Sequence, residues 1–526
     1  VLAAVLLAAA TLYLLPVGRR VLYHQDEARF ALLARQAVED GRWILPRIRE
    51  QVYLNKPPYY FWAVAAVAWP FGRVDAATGP LVSVATALAA LGATFAIALR
   101  RGGWAEGLTA VLALGTAPFF FIMAHRVMAD MMLAAWMAWA LFFYLRAVTD
   151  PAPPRWALPA FYLCVGGGLG TKGPAALVVL LAAAAASLLV DGRRGLGRLR
   201  LVPGLGLVAL TALPWLPPYL LQGEGSYTRQ VVVGHYAEWY FRSAGGPRLD
   251  RVAENLAGAL PWVLFLVPTL WWWRRHPANP VRWRLVTWAV VVALAVSLSG
   301  EQRARYFLPV HPLLALLAAE GIVGAARDRT GRRVLAGTLV AGLVLTIPGV
   351  AVLVIDPGRS PFGEEAFFLP ASPGALLGLG LVAVLGWLGA LAALARGGGG
   401  LGVAGCVAAA MAGLLGFAAL DYPVRYSRQR PLPRFAERVA AVLPPGTTIW
   451  AVPEASLTYD LYLRRPVREL GPSPTALRRL AEPAVRAVLM REEDWMRARP
   501  ALDPALVPVV TERIGRHVVV LLRRTP

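Results

Sequence analysis

The feature that most limits how this chain can fold is a succession of apolar stretches, each about long enough to cross a bilayer, running from one end to the other. They lie near residues 1–17, 80–99, 108–124, 130–147, 156–170, 174–190, 203–221, 256–273, 284–299, 306–325, 334–355, 374–395 and 400–420, thirteen in all. Short Arg-rich or Gly/Pro-rich breaks separate them. The bilayer interior offers backbone groups no hydrogen-bond partner, so spans of this length must be helical. A hydrophobic share of 57% over 526 residues agrees with a membrane protein. The formal charge of +22 would suggest nucleic acid in a soluble protein, but most of the arginines sit in loops between apolar runs. Anionic lipid headgroups are the nearer partners there, so membrane lipids are expected and nucleic acid is not. Cys164 and Cys406 both fall inside apolar runs and signal neither a disulfide nor a metal cluster.

A fourteenth apolar stretch, Tyr59 to Phe71, is short, aromatic and preceded by Pro57-Pro58. If it lies at the interface without crossing, Arg100, Arg101, Arg146, the run 191–200, Arg274, Arg275, the run 327–333 and Arg396 all fall on one side. Short basic loops belong in the cytoplasm, which places the amino terminus inside and makes 1–17 a span instead of a cleaved signal. The first outer loop then carries Arg19, Arg20, Arg29, Arg35, Arg42, Arg47 and Arg49, against the positive-inside tendency. A loop that must hold phosphate is one reason to accept that charge. Trp271, Trp272 and Trp273 read as an interfacial aromatic belt.

After Asp421 the composition changes to that of a soluble domain. Phe435, Val439, Val442 and Leu443 make one face of a helix, and 447–452, 484–490, 506–511 and 518–522 read as strands, with 474–481 helical between them. The expected architecture is a polytopic α-helical membrane domain over 1–421, with an interfacial helix in its first outer loop, and a small extracytoplasmic α/β domain over 422–526.

The polar residues hardest to explain structurally all land on the outer side of this topology. They are Asp26, Glu27 and Arg29, then Asn55 and Lys56, Arg126 and Asp130, Lys172, His235, and Glu301, Arg303 and Arg305. Ionisable groups at a membrane boundary are costly unless paired or solvated, and so mark a site. Moving a sugar off a lipid phosphate requires a cationic cradle for the departing phosphate and a carboxylate that orients or deprotonates the acceptor. Asp26, with Arg29 one helical turn on and Lys56 held by the following prolines, meets both needs. Other readings stand beside this one: Arg29 and Lys56 as snorkelling cations, Asp130 as a paired helix start one turn after Arg126, Lys172 as a helix-end charge, and His235 as incidental.

The order and spacing of Gln25-Asp26-Glu27-Ala28-Arg29-Phe30, Tyr53-Leu54-Asn55-Lys56-Pro57-Pro58, Arg126-Val127-Met128-Ala129-Asp130-Met131 and Leu169-Gly170-Thr171-Lys172-Gly173-Pro174 resemble the GT-C glycosyltransferase superfamily. The branch is that of lipid A aminoarabinose transferases and protein O-mannosyltransferases. Arg305-Tyr306-Phe307-Leu308-Pro309-Val310-His311-Pro312 is similar to a later motif of that family. The resemblance implies an inverting transferase that uses a polyprenyl-phosphate sugar on the outer face of a bacterial-type inner membrane and passes it to a lipid, glycan or protein. It implies that Asp26, Glu27 and Asp130 serve the chemistry, that Arg29, Lys56, Lys172 and Arg305 hold the donor phosphate, and that Tyr53, Asn55, Arg126, His235 and Tyr306 line the cavity. Asn55 stands where aminoarabinose transferases carry Glu, which removes a carboxylate from their metal site and speaks against zinc; no metal ligand is assigned. The alternative reading is a transporter or flippase of lipid-linked sugars, which would place charges near mid-membrane in repeated halves. No Asp-x-Asp pair is present to grip a nucleotide sugar, and the glycines at 166–173 lack the order of a phosphate-binding loop.

Overall fold

Helices that are apolar on every side must pack against one another or against lipid. The computed structural model describes all residues except 50, 222–248, 278, 300–302, 356–371, 453–456, 471–478, 481 and 526. It divides into two compact units, the first made of Val1–Leu15, Leu54–Tyr60 and Pro80–Tyr422.

This membrane unit is built from α1 (Leu2–Leu14), the start of α3 (Tyr59–Ala68), α4 (Leu81–Gly115), α5 (Pro118–Ala124), α6 (Ala129–Thr149), α7 (Ala157–Lys172), α8 (Val178–Arg198), α9 (Leu201–Ala212), α10 (Leu216–Leu221), α11 (Leu249–Gly258), α12 (Leu266–Arg275), α13 (Pro280–Ser297), α14 (His311–Ala325), α15 (Arg329–Ile355), α16 (Pro373–Ala395) and most of α17 (Gly399–Arg428). The label α2 belongs to the second unit. Among the described residues eight helical runs are long and apolar enough to span a bilayer, or nine with the bent pair Val252–Gly258 and Trp262–Arg275. Leu81–Gly115 is broken at Gly103, whose φ of 81° and ψ of −169° only glycine adopts readily. Ala157–Arg198 holds two of the spans expected from the sequence, joined by the 3₁₀ turn Gly173–Leu177. By contrast, α3 and its 3₁₀ extension Trp69–Phe71 amount to roughly 20 Å of helix, too little for a hydrocarbon core of about 30 Å.

Packing in this unit depends on small residues at contacts. Gly166 and Gly170 are four apart on α7; a Cβ on the first would strike Thr211, and on the second the ring of Tyr59. Close helix approach without a hydrophobic force is the usual logic of small-residue seams in membranes. Around them Tyr144, Phe161, Tyr162 and Trp288 are fully buried in one cluster.

A buried charge network ties three helices at the far end of α14. Glu320 takes Arg282 on one oxygen, at 2.8 Å from Nη2 and 3.2 Å from Nε, and Arg101 Nη1 at 3.4 Å on the other. Arg101 also binds Glu106 and donates to the Leu316 carbonyl.

The second unit gathers Pro16–Tyr53, Phe61–Gly79 and Pro423–Pro526. It contains α2 (Gln25–Glu39), the small hairpin β1 (Arg47–Ile48) and β2 (Gln51–Val52), and the carboxy-terminal domain. That domain is a five-stranded sheet of order β4-β3-β5-β7-β6, formed by β3 (Ile449–Val452), β4 (Val467–Glu469), β5 (Ala487–Arg491), β6 (Leu506–Ile514) and β7 (His517–Arg524). β3 runs parallel to β4 and β5, while β7 is antiparallel to β5 and β6. Period-two burial puts Leu489 and Leu521 on one face, against Leu432, Phe435 and Val439 of α18 (Leu432–Val442), with α19 (Leu457–Leu463) contributing Leu463. Fully burying Phe435 is worth roughly 1.5–3 kcal/mol. Val488, Val520 and Leu522 face the other way, toward Trp495 of α20 (Glu492–Ala498). The amphipathic helix and four strands appear where the sequence pattern puts them, with shifted ends; β4, three residues long, had no legible pattern. The helix expected at 474–481 falls largely outside the described residues.

Candidate active site

The expected site residues fall into two groups, each within its own unit. The first surrounds the start of α2. Asp26 and Glu27 occupy its first turn, where the helix dipole favours acidic groups. The His24 side chain caps the helix by accepting from the Asp26 backbone N–H at 3.1 Å. Arg29 is bound to the Asp26 carboxylate, and its guanidinium lies 6.0 Å from the centre of the Tyr53 ring. Asp26 and Arg29 keep 19% and 23% exposure, so the pair is reachable. Burial pushes the Tyr53 hydroxyl well above its ordinary range, with Arg29 opposing, and it therefore remains a neutral hydrogen-bond donor.

Glu27 differs from its neighbour. It is fully buried and engaged by both terminal nitrogens of Arg20, one at 2.9 Å. Arg20 in turn lies over the Tyr426 ring at 5.6 Å. Sequence reasoning missed Arg20 as a partner, although its place seven residues before Glu27 was a visible signal. His24 was also missed, because histidine is an unusual cap.

The second group lies in the membrane unit. Asp130 stands in the first turn of α6, Lys172 at the last turn of α7, and Arg305 and Tyr306 in the 3₁₀ segment Ala304–Val310 that leads into α14. Lys172 binds one oxygen of Asp130, and Arg305 Nε is 3.9 Å from the other. The Lys172 ammonium sits 4.3 Å from the centre of the Tyr306 ring, close enough for cation–π attraction. Arg305 is also over that ring, at 5.6 Å. Three distant stretches of sequence thus meet at one carboxylate, itself only 7% exposed.

Arg126 is buried in the break between α5 and α6, where its carbonyl accepts from Ser83 Oγ at 2.5 Å. Asn55 is exposed and Lys56 half-buried in the bend before Pro57 and Pro58. His235 and Glu301 lie outside the described residues. Among the described residues, no three His, Cys, Asp or Glu side chains are grouped to hold a metal ion. Asn55 offers only an amide oxygen where zinc prefers nitrogen, sulfur or carboxylate, so no step is derived through a metal.

Two further features were not legible in the sequence. An apolar groove of about 140 Å³ lined by Val252, Leu256, Leu294, Phe307, Val310 and Leu314 adjoins the Arg305 segment. His311, at the start of α14, is almost fully buried against Phe119, and neither ring nitrogen has a hydrogen-bond partner among the described residues.

Known proteins share this architecture. The family described as dolichyl-phosphate-mannose-protein mannosyltransferase matches residues 55–217. The undecaprenyl phosphate-α-4-amino-4-deoxy-L-arabinose arabinosyl transferase of Pectobacterium atrosepticum is 29% identical over 74% of this chain and 70% of its own length. A like-named transferase of Sodalis glossinidius is 30% identical over 59% of this chain and 57% of its own. The crystal structure of ArnT from Cupriavidus metallidurans bound to undecaprenyl phosphate superposes with a TM-score of 0.85 at 22% identity, covering 99% of this chain and 97% of that one. The Archaeoglobus fulgidus oligosaccharyltransferase gives 0.54 at 11% identity, over 95% of this chain and 70% of that one. The chain is therefore a multi-pass membrane glycosyltransferase with the GT-C fold. Over most of its length its sequence is similar to those of aminoarabinose transferases.

Proposed function

We propose that this enzyme transfers a sugar from a polyprenyl-phosphate carrier to a lipid, glycan or protein acceptor, with inversion, on the extracytoplasmic face of a bacterial inner membrane. The observation that carries the reading is the convergence of Lys172 and Arg305 on the Asp130 carboxylate beside the Tyr306 ring. A carboxylate shared by two cations is an exchangeable counter-ion, and an incoming phosphate can draw on the same donors. The apolar groove beside Arg305 suits the hydrocarbon part of such a carrier. The names of the Pectobacterium and Cupriavidus relatives support undecaprenyl phosphate as the carrier.

Asp26 is assigned to the acceptor, and Arg29 and Lys56 to the donor phosphate. The acceptor oxygen bonds to the anomeric carbon as the bond from that carbon to the phosphate oxygen breaks. The electron pair leaves with the lipid phosphate, where the cations stabilise it, and a hydroxyl proton passes to Asp26. A phosphate acceptor needs no base, and Asp26 then only orients it. Glu27 takes no part, because Arg20 already occupies both its oxygens. Arg126 and Asn55 are assigned to lining, and 422–526 to the same face as the reaction.

The test is transfer of labelled sugar from a panel of synthetic polyprenyl-phosphate donors by the purified protein in lipid. Asp26→Asn is expected to abolish transfer while leaving donor binding largely intact, and Lys56→Ala to weaken binding. Full activity of Asp26→Asn, or movement of the intact donor between leaflets without transfer, overturns the reading.

A further inference from the structure

The second unit contains an arrangement that the reaction itself does not require. The carboxy-terminal domain grips the chain on both sides of the α2 turn that bears Asp26 and Arg29. Ahead of α2, the backbone N–H of Val21 donates to Ser427 Oγ at 3.0 Å, and that of Leu22 to the Tyr462 hydroxyl oxygen at 2.8 Å. Tyr23 packs edge-on against Tyr426, with the Arg430 guanidinium over both rings at 4.8 and 4.0 Å. Further along α2, Arg35 donates to the carbonyls of Leu461 at 2.8 Å and Asp460 at 3.4 Å. These carbonyls belong to the last turn of α19, where an α-helix has no partners of its own and carries partial negative charge. Beyond α2, Arg49 forms a forked pair with Asp460, the shortest contact 2.7 Å, and also binds Glu469.

These contacts are not those of a module hung on a linker. They come from the stretch before the sheet, one short helix and the end of β4, they fix backbone amides as well as side chains, and the Asp460 and Arg49 side chains are only 13% and 15% exposed. Burial raises the Asp460 carboxyl while Arg49 pulls it down, so the pair is held in surroundings where each depends on the other. Ala28, Ala31 and Leu32 are buried on the same face of α2 as Arg35, one and two turns before it.

We propose that the carboxy-terminal α/β domain is a positioning device, which through Asp460 and Tyr462 of α19 sets where the amino-terminal turn of α2, and with it Asp26, stands. The inference rests on the assignment of Asp26 to the reaction. Neither Asp460 nor Tyr462 touches substrate; both act through α2. Small displacements of a reacting group cost rate far more than they cost stability.

The experiment uses the full chain in lipid nanodiscs and compares Asp460→Asn, Asp460→Glu, Tyr462→Phe and Asp26→Asn for turnover, donor Kd and thermal midpoint. The expected result is a fall in kcat of about tenfold for Asp460→Asn and several-fold for Tyr462→Phe. Donor Kd should stay near that of the parent and the rate is counted per folded protein, with most of it restored in Asp460→Glu. If Asp26→Asn is inactive but Asp460→Asn and Tyr462→Phe turn over at the parent rate, the positioning role is overturned and the assigned reaction survives. A loss of rate in both variants that only follows loss of folded protein overturns it as well. Full activity of Asp26→Asn removes the assignment on which the inference stands.

Discussion

Two buried charge clusters in the membrane unit use the same chemistry for different ends. Around Glu320, two glutamates meet two arginines, and Arg101 and Arg282 divide the Glu320 oxygens between them. Around Asp130, among the described residues, two cations share one carboxylate, and an aromatic ring supports the ammonium. The first cluster balances its charges and locks three helices. The second is assembled from helix ends and sets two cations against one acid, an excess of positive charge that the proposed function gives to the donor phosphate. On the proposed function, the composition of a buried cluster, more than its burial, separates a strut from a binding site.

That contrast can be broken by experiment. Glu320→Ala takes the carboxylate from buried Arg282 and leaves Arg101 with Glu106 alone, and should cost about 3–5 kcal/mol, seen as a large drop in thermal midpoint, while the donor KM of the folded fraction is unchanged. A raised KM with an intact midpoint would erase the distinction. Lys172→Ala should do the reverse: losing a charge-assisted contact worth about 1.5–3 kcal/mol weakens donor binding on the order of 10–100-fold by titration, with little change in midpoint. Replacing Glu320 by Leu together with Arg282 by Met should recover most of the stability lost in Glu320→Ala, because apolar residues of similar volume replace buried pairs well. An exposed pair supplies the smallest effect. Asp503 accepts from the Ala505 amide at 2.9 Å and from Arg524, and these bonds, the amide first, hold its carboxyl below the usual range. Its contribution is present above the ordinary carboxylate pKa and fades as pH falls through the depressed value. Asp503→Asn should therefore lower the midpoint slightly at neutral pH and not at all in strong acid.

Much of this could be read from the sequence, and the rest had physical reasons to be hidden. Long apolar runs are helices because lipid leaves no alternative, and Phe435, Val439 and Leu443 show their shared face through spacing alone. The pairing of Asp26 with Arg29 is a one-turn relation, visible in the same way. Asp130, Lys172 and Arg305 stood out as costly charges, but their meeting depends on how three helices pack, which no local pattern encodes. Tyr462 gave no signal at all: its partner is a backbone amide, and any residue but proline at position 22 would supply one. The run Leu81–Gly115 kept its break out of sight because Gly102 and Gly103 read as a loop between two spans as easily as a kink within one.

The bond between Leu22 and Tyr462 joins residues 440 apart. A ribosome adding 5–20 residues each second needs roughly 20–90 s to make that interval. For that time the nascent chain already has the amide of Leu22, α2 and Asp26, and waits for the hydroxyl that fixes them. The membrane helices enter the bilayer in sequence while the acidic turn stays unfastened. Synthesis itself thus acts as a timer, and a chain stopped short of residue 457 would be inserted, lodged in the membrane and silent.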